Sequence, residues 1–171
     1  METTPRFDVS RPSNVRLAAF ALTAIGALAM GVAAFLTWVT YGITAPGDVP
    51  TNVPGTDDAA GRIVLIASVA ILFLAIASRF AKSRRRATLA WAITVAALIG
   101  GAASVWFIVN AEDRYSAIAP AIAELTTVRA YLDVASGPWI AFGGSVVALV
   151  GGVLTVRWAG RVSEPTVLPP H

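Results

Sequence analysis

Cysteine is absent from this chain of 171 residues, and its single histidine, His171, is the final residue of the sequence. That scarcity excludes a disulfide scaffold, a thiolate metal site and any catalysis needing a Cys nucleophile or a placed His. Charge is scarce as well: 13% of residues are charged against 56% hydrophobic, and the mean hydropathy is +0.70. Soluble domains run nearer ~45–50% apolar, so too few charges are present to cover a compact soluble surface of this size. Lysine occurs once, at Lys82, and every other basic group is arginine. With abundant Ala, Gly and Val, this is the composition of a GC-rich bacterial genome.

What is present is organised into four charge-free stretches. Leu17–Val39 would extend about 35 Å as a helix, enough for a hydrocarbon core of ~30 Å. Ile63–Ser78 is shorter and is completed by Ala59–Gly61 and Phe80–Ala81, with Arg62 snorkelling to the interface. Ala87–Ala111 and Trp139–Val156 supply the third and fourth. Lipid offers no partners for open backbone groups, which requires helices here. The alternating ten-residue segments of a barrel are missing. The sequence therefore predicts an all-α membrane protein, a four-transmembrane-helix bundle with spans at about 17–39, 60–81, 87–111 and 138–157. The membrane domain covers 17–158, between a flexible tail (1–16) and a second tail (159–171).

Orientation follows from arginine placement. Ten basic residues fall in the two tails and the second connection, and three (Arg62, Arg114, Arg129) in the other connections. The positive-inside rule then puts both termini in the cytoplasm, with formal charges of +7 inside and −4 outside that agree with the net +3. Ala27-Leu28-Ala29 resembles a signal-cleavage site, but the apolar run continues ten residues beyond it, favouring a retained span.

The connections carry the remaining patterns. Thr40–Gly61 holds Pro46, Pro50 and Pro54 among glycines and reads as extended or turn-rich. At its start, Trp38-Val39-Thr40-Tyr41 either leaves the first helix as a short strand or supplies interface anchors in Trp38 and Tyr41; anchoring is preferred. The short second connection makes a helical hairpin. Its basic cluster, Arg79, Lys82, Arg84, Arg85 and Arg86, is foremost a topology determinant that could also hold anionic lipid headgroups. Between the third and fourth spans, Ile118, Ile122, Leu125, Val128 and Leu132 recur at three- and four-residue steps. That spacing predicts an extracytoplasmic amphipathic helix of about four turns, ended by Gly137-Pro138. It would cap the bundle, lie on the membrane or dock on a partner.

The spans offer Ser, Thr and Trp but no ionisable group, whereas pumps, carriers and channels place such groups along the path of their cargo. Hydroxyls at Thr23, Ser68, Thr94, Ser104 and Ser145 are expected to bond their own preceding turns. Neither a metal cluster, a catalytic triad nor a phosphate-binding glycine loop can be assembled. Adjacent Asp57-Asp58 and Glu112-Asp113 are better read as solvated loop charge than as a cation site. Catalytic residues, metal ligands and cofactors are therefore not expected, nor is nucleic-acid binding. Small residues, by contrast, recur every fourth position: Thr23, Ala27 and Gly31; Ala96, Gly100 and Ser104; Gly144, Ala148 and Gly152. Such seams let helices approach closely. Packing within the bundle is the leading reading of all three seams; since four helices need only some of them, one could serve an outside partner, and the helix-four seam is nominated for it. Helix two, offering Ile66, Leu72, Phe73 and Leu74, is expected to face lipid.

Phe35-Leu36-Thr37-Trp38-Val39, Gly55-Thr56-Asp57-Asp58-Ala59-Ala60-Gly61-Arg62 and Gly137-Pro138-Trp139, followed by Gly143-Gly144 and Gly151-Gly152, resemble a group of actinobacterial four-helix membrane proteins that includes the tryptophan-associated transmembrane proteins. The likeness spans about Leu17–Val156. Topology and outer-loop placement are also similar to claudin-like tetraspan proteins, although the paired outer-loop cysteines of claudins are missing here. The resemblance implies a small integral protein of the bacterial plasma membrane and carries over no catalytic residue. The expected function is a non-enzymatic accessory or structural subunit that stabilises or regulates a larger envelope complex, with lipid transport or cell-wall machinery as hosts. The alternative is a lipid or small-molecule carrier acting as a homo-oligomer.

Overall fold

The computed structural model describes residues 12–43, 49–116 and 130–161. Among them are four long helices: α1 (Pro12–Phe35), α2 (Ala59–Phe80), α3 (Ser83–Ser116) and α4 (Ser136–Arg161). Each is long and apolar enough to cross a membrane. The shortest, α2, has 22 residues and spans about 33 Å at the helical rise. Proline stands only in the first turn, at Pro12 and Pro138, where backbone N–H groups have no intrahelical acceptor to lose. The N-terminus of α2 is capped by Asp58, whose Oδ1 accepts from the Ala60 N–H at 2.8 Å. Asp58 is thus a buried helix cap, not solvated loop charge or half of a cation site.

The helices form a ring in which each packs on its sequence neighbour and α4 closes against α1, the most extensive contact of the bundle. Met30 and Phe107 are wholly enclosed, as are Ile71 and Val64 from α2. The lipid-type side chains point outward: Ile66 and Phe73 on α2, Val32 and Phe35 on α1, Leu98 and Val109 on α3. As anticipated, α2 is the least enclosed helix, though Leu72 and Leu74 pack partly against the core.

The all-α expectation needs correction at one end of the bundle. Here α1 stops at Phe35, four residues before the expected end of the first span, tightening into a Leu36 N–H to Ala33 C=O bond of 3.2 Å. The chain continues as β1 (Thr37–Ile43), the central strand of an antiparallel sheet ordered β2-β1-β3, with β2 at Thr51–Pro54 and β3 at Ala130–Val134. Register pairs Val39 with both Val53 and Val134, and Tyr41 with Leu132. Strand geometry sends alternate side chains to opposite faces, so Val39, Tyr41, Val53, Leu132 and Val134 share the face packed on the core. Thr40, Asn52 and Asp133 share the other face, where Thr40 Oγ1 donates to Asn52 Oδ1 at 2.9 Å.

Leu132 therefore belongs to a strand and not to the expected amphipathic helix. The run Tyr131-Leu132-Asp133-Val134 alternates polar and apolar with a period of two, and β1 offers it a ladder. A four-residue step from Val128 to Leu132 fits a helix only while no partner strand is known. Ile118, Ile122, Leu125 and Val128 lie outside the described residues.

Candidate functional site

The small-residue seams are spent inside the bundle. On α4, Gly144 sits so close to α1 that an added Cβ would lie 2.8 Å from the Gly26 carbonyl oxygen and 3.0 Å from the Met30 nitrogen. Ala148 is wholly buried, and its backbone nitrogen is what a Cβ on Gly26 would strike. Gly152 faces α3, where a Cβ would come 2.8 Å from Thr94 Oγ1. Of the two readings of this seam, packing within the bundle is the one the contacts fit, and a free partner face is not: its glycines are where α4 meets α1 and α3. Gly143 points away, with no neighbour within 4 Å of an added Cβ.

Thr23 and Ala27 are buried on α1, while Gly31 faces Ser68 of α2. On α3, Gly100 meets Met30 and Ala67, Ser104 is buried, and Ala96 packs against the core. Helix α2 has a seam that a four-residue search misses, because Ala60, Ala67 and Ala75, with Gly61 and Ser68 beside them, recur at seven and eight residues.

Hydroxyls inside the bundle are spent locally. Thr23, Thr94 and Ser104 donate to the carbonyls four residues earlier, at 2.9, 3.0 and 3.0 Å. Ser68 and Ser145 reach carbonyls three residues earlier, at 2.8 and 2.7 Å. Among the described residues, every buried side-chain nitrogen and oxygen has a partner, and no group of three His, Cys, Asp or Glu could hold a metal ion.

Two places gather distinctive side chains. The first is the junction between sheet and bundle. Trp38 is 0% exposed there, so interface anchoring, preferred from its place at the end of a span, does not describe it. Its indole Nε1 donates to the Ala33 carbonyl at 2.8 Å, and its ring meets Phe107 edge to face, with centroids 4.7 Å apart. Gly55 and Gly137 lie against the indole, and a Cβ on either would collide with it. A Cβ on Gly61 would likewise strike the backbone of Gly55. Residues far apart in sequence, around 38, 55–61 and 137, thus converge on one aromatic plug. Arg62 reinforces the turn by donating from Nε to the Thr56 carbonyl at 2.8 Å.

The second is the opposite, arginine-rich end. The basic cluster divides there. Arg79 and Arg86 join Arg16 around a cavity of about 350 Å³ that opens between α1, α2, α3 and α4. Lys82 and Arg85 instead border an open groove with Phe80, Thr88 and Leu89. The side chain of Arg84 lies outside the described residues. Sequence spacing joined the five by proximity along the chain, and only helix packing shows that Arg16 belongs with two of them.

Against known protein families the chain matches no family model, and no curated protein matches it. The class is defined by the fold alone: four helices able to span a membrane, with a three-stranded sheet joined to one end.

Proposed function

We propose that this chain is a non-enzymatic, multi-pass subunit of a bacterial plasma membrane that stabilises or regulates a larger cell-envelope complex. Both termini lie in the cytoplasm and the sheet outside. Lipid transport or cell-wall machinery is the host, and kinship with the tryptophan-associated transmembrane proteins, with claudin-like topology, belongs to the same proposal. The orientation rests on the arginine-rich end, where Arg16, Arg79, Lys82, Arg85 and Arg86 gather, because basic flanks favour the cytoplasm.

The observation that carries the accessory role is the sheet. It is fastened to the bundle through Trp38 and turns Thr40, Asn52 and Asp133 outward. Among the described residues, β2 and β3 are each paired on one side only. A one-sided strand offers backbone N–H and C=O groups to an extended segment of another protein. The helix seams, spent on self-packing, leave that role to the sheet.

Photoreactive residues at Asn52 and Tyr131, with Phe73 on the outer face of α2 as the reference, test this in cells. The expected result is one discrete heavier species from the two sheet positions that is missing at Phe73. Monomer and lipid adducts at all three positions would overturn the accessory role. A homodimer alone would favour the carrier alternative.

A further inference from the structure

We propose that the cavity at the arginine-rich end is a binding site for the phosphate of an anionic phosphoester, held by Arg16, Arg79 and Arg86. Its inner wall is apolar and hydroxylic: Ala19, Thr23, Ala75 and Ile93 are all nearly fully buried. The three guanidiniums come from three helices, and no carboxylate among the described residues lines the space. Arg16 and Arg86 line the same space, and an anion between two like charges offsets their mutual repulsion.

Each arginine is held without exhausting its donors. Arg16 stacks on the Trp158 ring at 3.7 Å and Arg79 on Phe20 at 4.9 Å. Stacking uses the face of the guanidinium and leaves its in-plane N–H groups for an acceptor. Arg86 donates from Nε to the Ser78 carbonyl at 3.3 Å and from Nη2 to the Ala81 carbonyl at 3.0 Å. These bonds fix it on the C-terminal carbonyls of α2 and do not use Nη1. The hydroxyls of Thr23, Ser78 and Thr155 donate to their own helices, so the arginines supply the donors. Paired N–H groups on fixed guanidiniums match phosphate oxygens.

The site requires a bundle set in a membrane but no partner protein, so its test fails independently of the accessory role. The full chain, purified in neutral detergent and stripped of lipid, is titrated with phosphatidylglycerol, phosphatidic acid and phosphatidylcholine while native mass spectrometry counts bound lipid. One saturable adduct with the anionic lipids is expected, with phosphatidylcholine weaker by about tenfold or more because its choline cancels the phosphate charge. Arg16→Gln and Arg79→Gln should each weaken binding about tenfold, the scale of one lost charge-assisted hydrogen bond. Lys82→Gln and Arg85→Gln, which remove the same charge nearby, should change it less than about twofold.

Arg16→Lys keeps the charge and loses the fork, so it should weaken binding several-fold even if Arg16→Gln fails to fold. Displacement by glycerol phosphate supports a soluble ester as the source; persistence of the adduct supports a lipid headgroup. Equal binding of phosphatidylcholine, or equal loss in Lys82→Gln and Arg16→Gln, would overturn the site.

Discussion

Replacing Trp38 should loosen the sheet from the bundle. Its side chain is fully enclosed, meets Phe107 edge to face and donates to the Ala33 carbonyl. Truncating a buried Trp costs about 3–5 kcal/mol. The edge-to-face ring pair accounts for ~0.5–1.5 kcal/mol beyond area. Trp38→Phe keeps a ring beside Phe107 and loses the indole donor. The Ala33 carbonyl also accepts from the Leu36 N–H, so it is not orphaned, and the loss should stay at about 1–2 kcal/mol. Gly137→Ala places a methyl group against the indole, an overpacking cost of about 1–3 kcal/mol. In a Trp38→Ala background part of that cost disappears, although the Thr37 carbonyl, 2.7 Å from the added Cβ, remains. A double-mutant cycle read by SDS unfolding of the detergent-solubilised protein should show a coupling of about 1 kcal/mol or more. Strict additivity, or a Trp38→Ala loss under about 1 kcal/mol, would refute the aromatic plug.

Adjacent glycines on α4 should behave oppositely: Gly144→Leu should destabilise by about 1–3 kcal/mol or more, while Gly143→Leu should stay within about 0.5 kcal/mol, both by thermal unfolding in detergent. Asp58→Ala should cost about 1 kcal/mol through the lost cap on Ala60, with Asp58→Asn recovering most of it. Thr23→Val should cost less than about 1 kcal/mol in the same assay, because its hydroxyl bonds its own helix and not a neighbour.

The four helices able to span a membrane were legible because a bilayer demands long charge-free runs, as in Leu17–Phe35 and Ala87–Ala111. The sheet was not, because strands of four to seven residues are stabilised by partners distant in sequence. Thr37–Ile43 carries a β-branched and aromatic run, but its ladder comes from residues 51–54 and 130–134. Burial of Trp38 depends on Gly55 and Gly137 leaving room for it, a relation that no local window contains. Small residues on α4 marked close approach correctly in kind, yet spacing does not say which helix approaches. Arg16 likewise lies 63 residues before Arg79 in sequence and joins it only because α1 and α2 are antiparallel neighbours.

The central proposal is a polarised molecule, with the sheet outside and the arginine-lined cavity facing the cytoplasm. The chain lacks cysteine, so single introduced thiols report unambiguously. Asn52→Cys in β2 and Asp133→Cys in β3 should react with a membrane-impermeant maleimide in intact cells. Lys82→Cys, between α2 and α3, and Arg85→Cys, in the first turn of α3, should react only after permeabilisation. Labelling of Lys82→Cys from outside, with Asn52→Cys protected, would contradict the account.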